Sequence, residues 1–461
     1  MIGGSSVTAR GSSRRRRGVS GDAWRTRLWP LPTAGVGVAA LLGVGLPLVD
    51  ARVIGGLPAK VTAFLFSGGP EAARTVLSVI AGSLITVTSL TFSLTVVTLQ
   101  LASSQYSPRL LRTFAQDRFV HVTLALLLST FTYSVTVLRT VRASLDDQTA
   151  FVPQLSVTVA YLLALASVVG LVVFLAHLAR QIRVESLLHS VHAEAVETMR
   201  RCTDAKEQPA ASTPVTPVTG TVSLCAASSG FLTSVDEAAL LGAAVDAGAV
   251  VVLDRLPGDS LIAGTPIAVA WPLAGTATLD RRAVTVLSER VADAVRTGFE
   301  RTAAQDMAFG LRQIVDVAVK ALSPGINDPT TAVHALSHAS ALLCEAAGRD
   351  LGPLLLRDGS GRVRVVLRRP DLPALIDLAV SQPRRYGAAD PEVMGRLFTL
   401  LREVAWSTHR TEHRAALNEQ LVRLCATVER QAYDDAERSR MDALARSVRE
   451  AVDERWPPSD S

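Results

Sequence analysis

Cysteine is scarce in this chain of 461 residues: Cys202, Cys225, Cys344 and Cys425 lie far apart and form no C-x-x-C pair. That spacing excludes a disulfide framework and a cysteine zinc site, and it fits a reducing cytosol. Lysine is scarcer still, with Lys60, Lys206 and Lys320 standing alone among 47 basic residues. Together with abundant Ala and Val, this is the composition of a GC-rich bacterial genome. There is no Walker loop, no dinucleotide G-x-G-x-x-G and no serine-nucleophile elbow, so the familiar nucleotide and acyl-transfer signatures are missing. Charge is missing too. No Asp, Glu, Lys or Arg lies inside the apolar stretches near 76–101, 119–138 and 155–178, apart from their ends, which disfavours a charge-relay pump.

What the chain does have is apolar length, concentrated before about residue 180, with a mean hydropathy of +0.29 overall. An α-helix needs about 20 mostly apolar residues to cross the hydrocarbon core. Four candidate spans meet that need, near 31–49, 76–101, 119–138 and 155–178. The first contains several glycines and Pro47. Gly35, Ala39 and Gly43 recur every fourth position in it, a small-residue seam for close helix contact. A cleavable signal peptide is the rival reading of that first stretch, with Val49 and Ala51 offering a small-residue cleavage site.

The net charge of +5 owes much to a basic tail, expected to be disordered over residues 1–30, with Arg14 to Arg17 in succession and Arg25 and Arg27 after them. Beside an apolar segment such a run meets anionic lipid, and no nucleic-acid partner is expected. The tail, Arg109, Arg112 and Arg118, and then Arg180 and Arg183 all belong inside. The expected location is therefore the inner membrane, multi-pass, with both termini cytoplasmic.

The second span is rich in hydroxyls. On a helical wheel Thr88, Thr91, Thr95 and Thr98 share one face, while Thr86, Ser89, Ser93, Gln100 and Ser104 share nearly the opposite one. Either the hydroxyls bond back to helix carbonyls and to neighbouring helices, or one face lines a polar path across the bilayer.

After the last span, Leu187, Leu188, Val191, Ala195, Val196 and Met199 mark an amphipathic connecting helix over 181–207, followed by a Pro/Thr/Ser linker over 208–220. His177, His189 and His192 flank that helix and read as interfacial or solvated side chains. Residues 221–275 read as a small β-rich unit. Pro257-Gly258-Asp259-Ser260-Leu261-Ile262-Ala263-Gly264-Thr265-Pro266 resembles the turns of the barrel-sandwich, or lipoyl-like, fold. This segment contains no lysine, so a swinging-arm carrier is excluded. Residues 276–461 read as mostly helical, with candidate helices near 371–380, 390–407, 412–431 and 434–452. Leu417, Leu421, Leu424 and Val428 keep helical spacing there, as in a bundle or an oligomer contact.

Two further stretches stand out. Gln305-Asp306-x-x-Phe309-Gly310-x-Arg312-Gln313-x-Val315-Asp316 leads into Ala321-Leu322-Ser323-Pro324-Gly325-Ile326-Asn327-Asp328-Pro329-x-Thr331-Ala332. With Gln105-x-Ser107-Pro108-Arg109, these residues resemble a widespread bacterial family of predicted multi-pass membrane proteins, a domain of unknown function. The resemblance covers nearly all of the chain after the basic tail. It implies four spans and a cytosolic C-terminal region, and it supplies no activity. Read from the residues, Pro324 and Gly325 stop one helix, and Asp328 caps the next with Pro329 in its first turn. The alternative is a polar pocket formed by Asp306, Arg312, Asp316, Asn327 and Asp328. Arg312 and Asp316, four apart, are placed to pair.

His409-Arg410-Thr411-Glu412-His413 matches H-x-x-E-H, in which two histidines bind zinc and the glutamate acts as base. No third ligand follows at a persuasive spacing. His334 and His338, also four apart, read as an ordinary helix face. The expected architecture is a membrane α-helical module of about four spans, then a cytoplasmic α+β region with a barrel-like unit and a helical C-terminal bundle. Three functional readings follow, in order. The first is a homo-oligomeric, channel-like or transport-related assembly with a cytoplasmic regulatory region. The second is a membrane-anchored scaffold or sensor, and the third is a zinc hydrolase built on His409, Glu412 and His413. The sequence identifies no cofactor.

Overall fold

The computed structural model describes residues 30–53, 65–105, 118–142, 151–181, 184–203, 220–273, 278–408 and 410–456. The basic tail, the stretch from Tyr106 to Asp117, nearly all of the 208–220 linker and His409 lie outside the described residues. The chain divides into two compact units, Met1–Arg183 and Val184–Ser461.

In the first unit the uncharged stretches form α1 (Pro30–Val53), α2 (Pro70–Gln105), α3 (Arg118–Leu138) and α4 (Gln154–Gln181). All four are long and apolar enough to cross a membrane. Helix α3 is the hub: it packs on α1, α2 and α4 and is half buried, whereas most of each of the others faces outward. Its hydroxyls are inside as a result. Thr130 Oγ1 lies 3.0 Å from Ser167 Oγ on α4, and Tyr133 donates to the Ser156 carbonyl at 3.1 Å. The outward faces carry Leu41, Leu90, Phe92, Leu162 and Val172, the surface that a lipid-embedded helix requires. The glycine seam holds α1 against α3. A Cβ added at Gly35 would sit 2.6 Å from Ser129 Oγ, and one at Gly43 would sit 2.7 Å from Thr136 Cβ.

The second unit begins with α5 (Val184–Thr203), whose apolar face of Leu187, Leu188, Val191, Ala195 and Met199 is buried. The strands β1 (Val222–Cys225), β2 (Gly230–Val235), β3 (Ala249–Leu253), β4 (Ser260–Leu261) and β5 (Pro266–Pro272) follow, with α6 (Glu237–Asp246) between β2 and β3. Then come α7 (Arg281–Ala294), β6 (Val295–Gly298), α8 (Phe309–Ala321), α9 (Pro329–Ala347), β7 (Leu354–Arg357) and β8 (Val363–Leu367). The chain ends in α10 (Leu372–Tyr386), α11 (Pro391–Ser407), α12 (Glu412–Val428) and α13 (Asp435–Val452).

The barrel expected over 221–275 does not close. The strands form an open five-stranded sheet, β1-β5-β3-β8-β7, and a separate three-stranded one, β4-β2-β6. The cause is β3. Its sequence, Ala-Val-Val-Val-Leu, is buried along almost its whole length, as suits a central strand with neighbours on both sides. One neighbour is β5; the other is β8, in parallel register from Val251 opposite Val365 to Leu253 opposite Leu367. A segment about 110 residues downstream thus takes the edge that barrel closure needs, and the region expected to be mostly helical contributes β6, β7 and β8.

Most helices of the second unit begin by a recurring device, though α8 and α12 have no side-chain cap. Asp236, Asp280, Asp328, Asp371, Asp390 and Asp434 cap α6, α7, α9, α10, α11 and α13, each carboxylate accepting from a first-turn backbone N–H. Such caps contribute about 1 kcal/mol each. Helices α8 to α13 and α5 pack pairwise around buried leucines that include Leu417, Leu421 and Leu424.

Candidate functional site

The two polar faces of α2 have different fates. Thr88, Thr91 and Thr98 are buried in the bundle and Thr95 is half-buried. All four hydroxyls donate to the carbonyl one turn back, at 2.7 Å (Thr88), 2.8 Å (Thr91 and Thr95) and 2.9 Å (Thr98). This is the self-satisfied arrangement that lets threonine occupy a dry helix contact. Ser89, Ser93 and Gln100 instead point away from the other three helices and are exposed. Thr75, Ser78, Gly82 and Thr86 are exposed on the same side of the wheel, so a largely polar stripe, interrupted by the exposed Val96, runs nearly the length of a helix of about 54 Å. An apolar groove of about 410 Å³ between α2 and α4, lined by Val79, Ile80, Tyr161 and Leu165, adjoins it near Thr75.

Sequence reasoning missed Asp50. It lies in the last turn of α1, is 1% exposed, and closes the start of α4. Its carboxylate accepts from Leu155 N at 3.1 Å, Ser156 N at 2.9 Å and Ser156 Oγ at 2.8 Å. A span-end acid facing a serine at the first turn of another span was the available signal. The partners lie more than 100 residues away in sequence, which hid it.

The motif residues are distributed along α8 rather than gathered. Asp306 precedes the helix and Asp328 follows it, about 20 Å apart. Asp306 is buried and takes a two-pronged ion pair from Arg301, whose Nη2 and Nε lie 2.6 and 3.0 Å from one oxygen. Burial pushes its carboxyl up, and Arg301 opposes the shift. Gly258, at φ +97°, lies against this pair, where a Cβ would fall 2.1 Å from the Asp306 carboxylate. Gln305 pairs with β2 as a strand backbone would, accepting from Val235 N at 2.8 Å and donating to Val235 O at 3.2 Å. Gly310 is where α8 meets α5: an added Cβ would stand 2.4 Å from that of Ala195. Arg312 and Asp316 are half-buried one turn apart on α8.

At the far end Asn327 takes a left-handed φ of +50°. Asp328 caps α9, accepting from Thr331 N at 3.0 Å and Thr331 Oγ1 at 2.6 Å. The Thr331 hydroxyl and backbone N–H hold its carboxyl below the usual carboxylate range.

Of the H-x-x-E-H stretch, Glu412 is exposed, and His413 is buried with Nδ1 2.7 Å from Thr408 Oγ1. His409 lies outside the described residues. Among the described residues no group of three or more His, Cys, Asp or Glu is arranged to hold a metal ion. The structure does bring together two contacts of histidines that were separate in sequence, one with a glutamate and one between two histidines. His334 Nδ1 lies 2.5 Å from Glu185 on α5, and the rings of His192 and His338 are 5.6 Å apart.

Four apolar helices of spanning length followed by an α+β unit define a multi-pass membrane protein. The family model described as "Predicted membrane protein (DUF2254)" matches residues 25–403, and the chain belongs to that family. It is 34% identical over 451 residues to the Mycobacterium tuberculosis (strain H37Rv) uncharacterized protein Rv1290c, covering 97% of this chain and 85% of that one. The Mycobacterium bovis uncharacterized protein Mb1321c is similar to the same extent. No solved structure matches the chain.

Proposed function

We propose that the protein is a homo-oligomeric, channel-like assembly of the inner membrane, in which the exposed stripe of α2 faces its counterparts across a polar path. One observation carries this reading: the exposed side of a membrane-spanning helix bears Ser89, Ser93 and Gln100. Polar groups turned toward hydrocarbon without partners are costly, about 1 to 3 kcal/mol for an unsatisfied amide or hydroxyl. Water in a lumen, or a second copy, removes that cost. Lipid does not. The threonine face needs no such partner, because its hydroxyls are satisfied within α2.

Both termini and the α+β unit are on the cytoplasmic side in this reading, as the basic tail and Arg180 favour. The tail rests on anionic lipid, and the soluble unit organises or gates the assembly. Ion flux through proteoliposomes containing the purified full chain tests the proposal. Wild-type protein conducts, and Ser93→Leu with Gln100→Leu abolishes conduction while the oligomer persists in cross-linking. An oligomer that never conducts makes the protein a scaffold instead, its stripe a dry contact between copies.

A further inference from the structure

The second unit contains a cavity of about 270 Å³ that none of the readings above uses. It opens at the carboxyl ends of the parallel pair β3 and β8, beyond Leu253 and Leu367, the end of the strands at which open α/β sheets place their ligands. Its wall is continued by the end of α5, through Cys202 and Thr203, and by Gln305 of the family motif. Four arginines line it, Arg201, Arg255, Arg368 and Arg369, against two acids, Glu237 and Asp350.

The arginines are not equivalent. Arg368 is held by Asp254 at 2.5 Å, and Arg201 donates to Thr198 Oγ1 at 3.1 Å. Arg255 and Arg369 form no ion pair among the described residues, and both are half-buried. Asp350 is drawn off by Arg410, at 3.5 Å, and by the backbone N–H of Gly352, at 3.2 Å. Burial pushes the Arg369 guanidinium down from its ordinary value, with Cys202, Glu237 and Asp350 pulling the other way. An arginine does not escape burial by losing its proton; it stays charged and wants an anion. The two guanidinium groups without an ion pair among the described residues, Arg255 and Arg369, suit a phosphate monoester, which carries about −1.5 to −2 at neutral pH. Guanidinium groups bind such an anion with two parallel N–H bonds. The volume lies just under the 300 to 1,000 Å³ or so of drug-sized sites, which suits a small metabolite.

We propose that this cavity is a binding site for a small phosphate monoester, held by Arg369 and Arg255. The same chemistry is carried by a sugar phosphate and by the headgroup of phosphatidic acid, and the test separates them. Full-length protein in detergent micelles is titrated at constant ionic strength with glucose 6-phosphate, inorganic phosphate and dihexanoyl phosphatidic acid, and binding is read by calorimetry. Glucose 6-phosphate binds saturably, and Arg369→Gln or Arg255→Gln weakens it by about tenfold or more, one charge-assisted contact's worth. Arg368→Gln, whose guanidinium is already occupied, changes it by less than about threefold. Arg369→Gln melts within a few degrees of wild type without ligand, since it removes a half-buried charge that makes no close ion pair among the described residues. If that variant does not fold, Arg255→Gln decides. Saturable, arginine-dependent binding of the short-chain lipid alone keeps the site and assigns the phosphate to a headgroup. No saturable binding of any of the three, or binding that both variants leave intact, overturns the proposal.

Discussion

Both oxygens of Asp50 are occupied by the first turn of α4, which makes this side chain a cap supplied by a different helix. Truncation leaves the Ser156 and Leu155 N–H groups without their acceptor in a buried place, at about 1 to 3 kcal/mol for each group. Asp50→Ala should therefore lower the unfolding temperature of the detergent-solubilised protein markedly, and Asp50→Asn, which keeps one acceptor, less so. Equal melting of all three would show that the cap carries no stability. A second residue-scale expectation concerns His338, on α9 against α5. Burial lowers its pKa first and His192 next, with His189 and His334 adding to the effect and Glu185 opposing it. The folded chain then binds the proton less readily than the unfolded one, so protonation favours unfolding. The stability held by the neutral ring is present above the ordinary histidine value of about 6.5 and is lost as pH falls through it. His413, also lowered chiefly by burial, acts in the same direction. Unfolding followed from pH 7.5 to 5.5 should show this loss, and His338→Asn should reduce it; an unchanged pH slope in the variant would contradict the assignment.

Helix α1 shows what a small-residue seam does at the scale of an element. Gly43 admits α3 to within contact of its backbone, whereas nothing lies within 4 Å of the Cβ position at Gly37. Gly43→Val is expected to destabilise the bundle by about 1 to 3 kcal/mol through overpacking. Gly37→Ala is expected to be neutral or to stabilise α1 by up to about 1 kcal/mol, as an alanine in a helix does. Unfolding of the two variants in detergent checks the pair, and equal effects would mean that the seam does not set the α1–α3 distance. The seam was legible in the sequence because its period is local, and so was the Asp-Pro helix start at Asp328. The partner of β3 was not. A run of Ala, Val and Leu states that a strand is central, but nothing in it says that the second neighbour comes from residues 363–367. The lipoyl-like turn at Pro257 and Gly258 suggested a barrel on local grounds, and the turn is there, with Gly258 left-handed beside Asp306. Closure is a non-local property, and the parallel pairing with β8 decided it.

At the scale of the whole molecule, the wheel of α2 separated two polar faces but gave no means of telling which was inside. Packing on α3 resolves that, since the threonines are the buried set and Ser89, Ser93 and Gln100 the exposed one. A bundle of four helices with an exposed hydroxyl and amide stripe leaves one polar side without a protein partner, and that side is the one the proposed assembly of several copies would cover. The family motif belongs to a different layer. Gln305 fastens β2, Gly310 lets α8 meet α5, and Asp328 starts α9, so its residues shape the second unit and frame the cavity beside Gln305.

Single cysteines placed along α2 in a variant lacking Cys202, Cys225, Cys344 and Cys425 report directly on the proposed path. A small water-soluble thiol reagent applied to intact membranes should label positions 86, 89, 93 and 100 and spare 88, 91 and 98, with Phe92 and Leu90 protected as lipid-facing controls. Uniform protection from residue 86 to residue 100, or labelling that follows the threonine face instead, would contradict a water-filled path lined by this stripe.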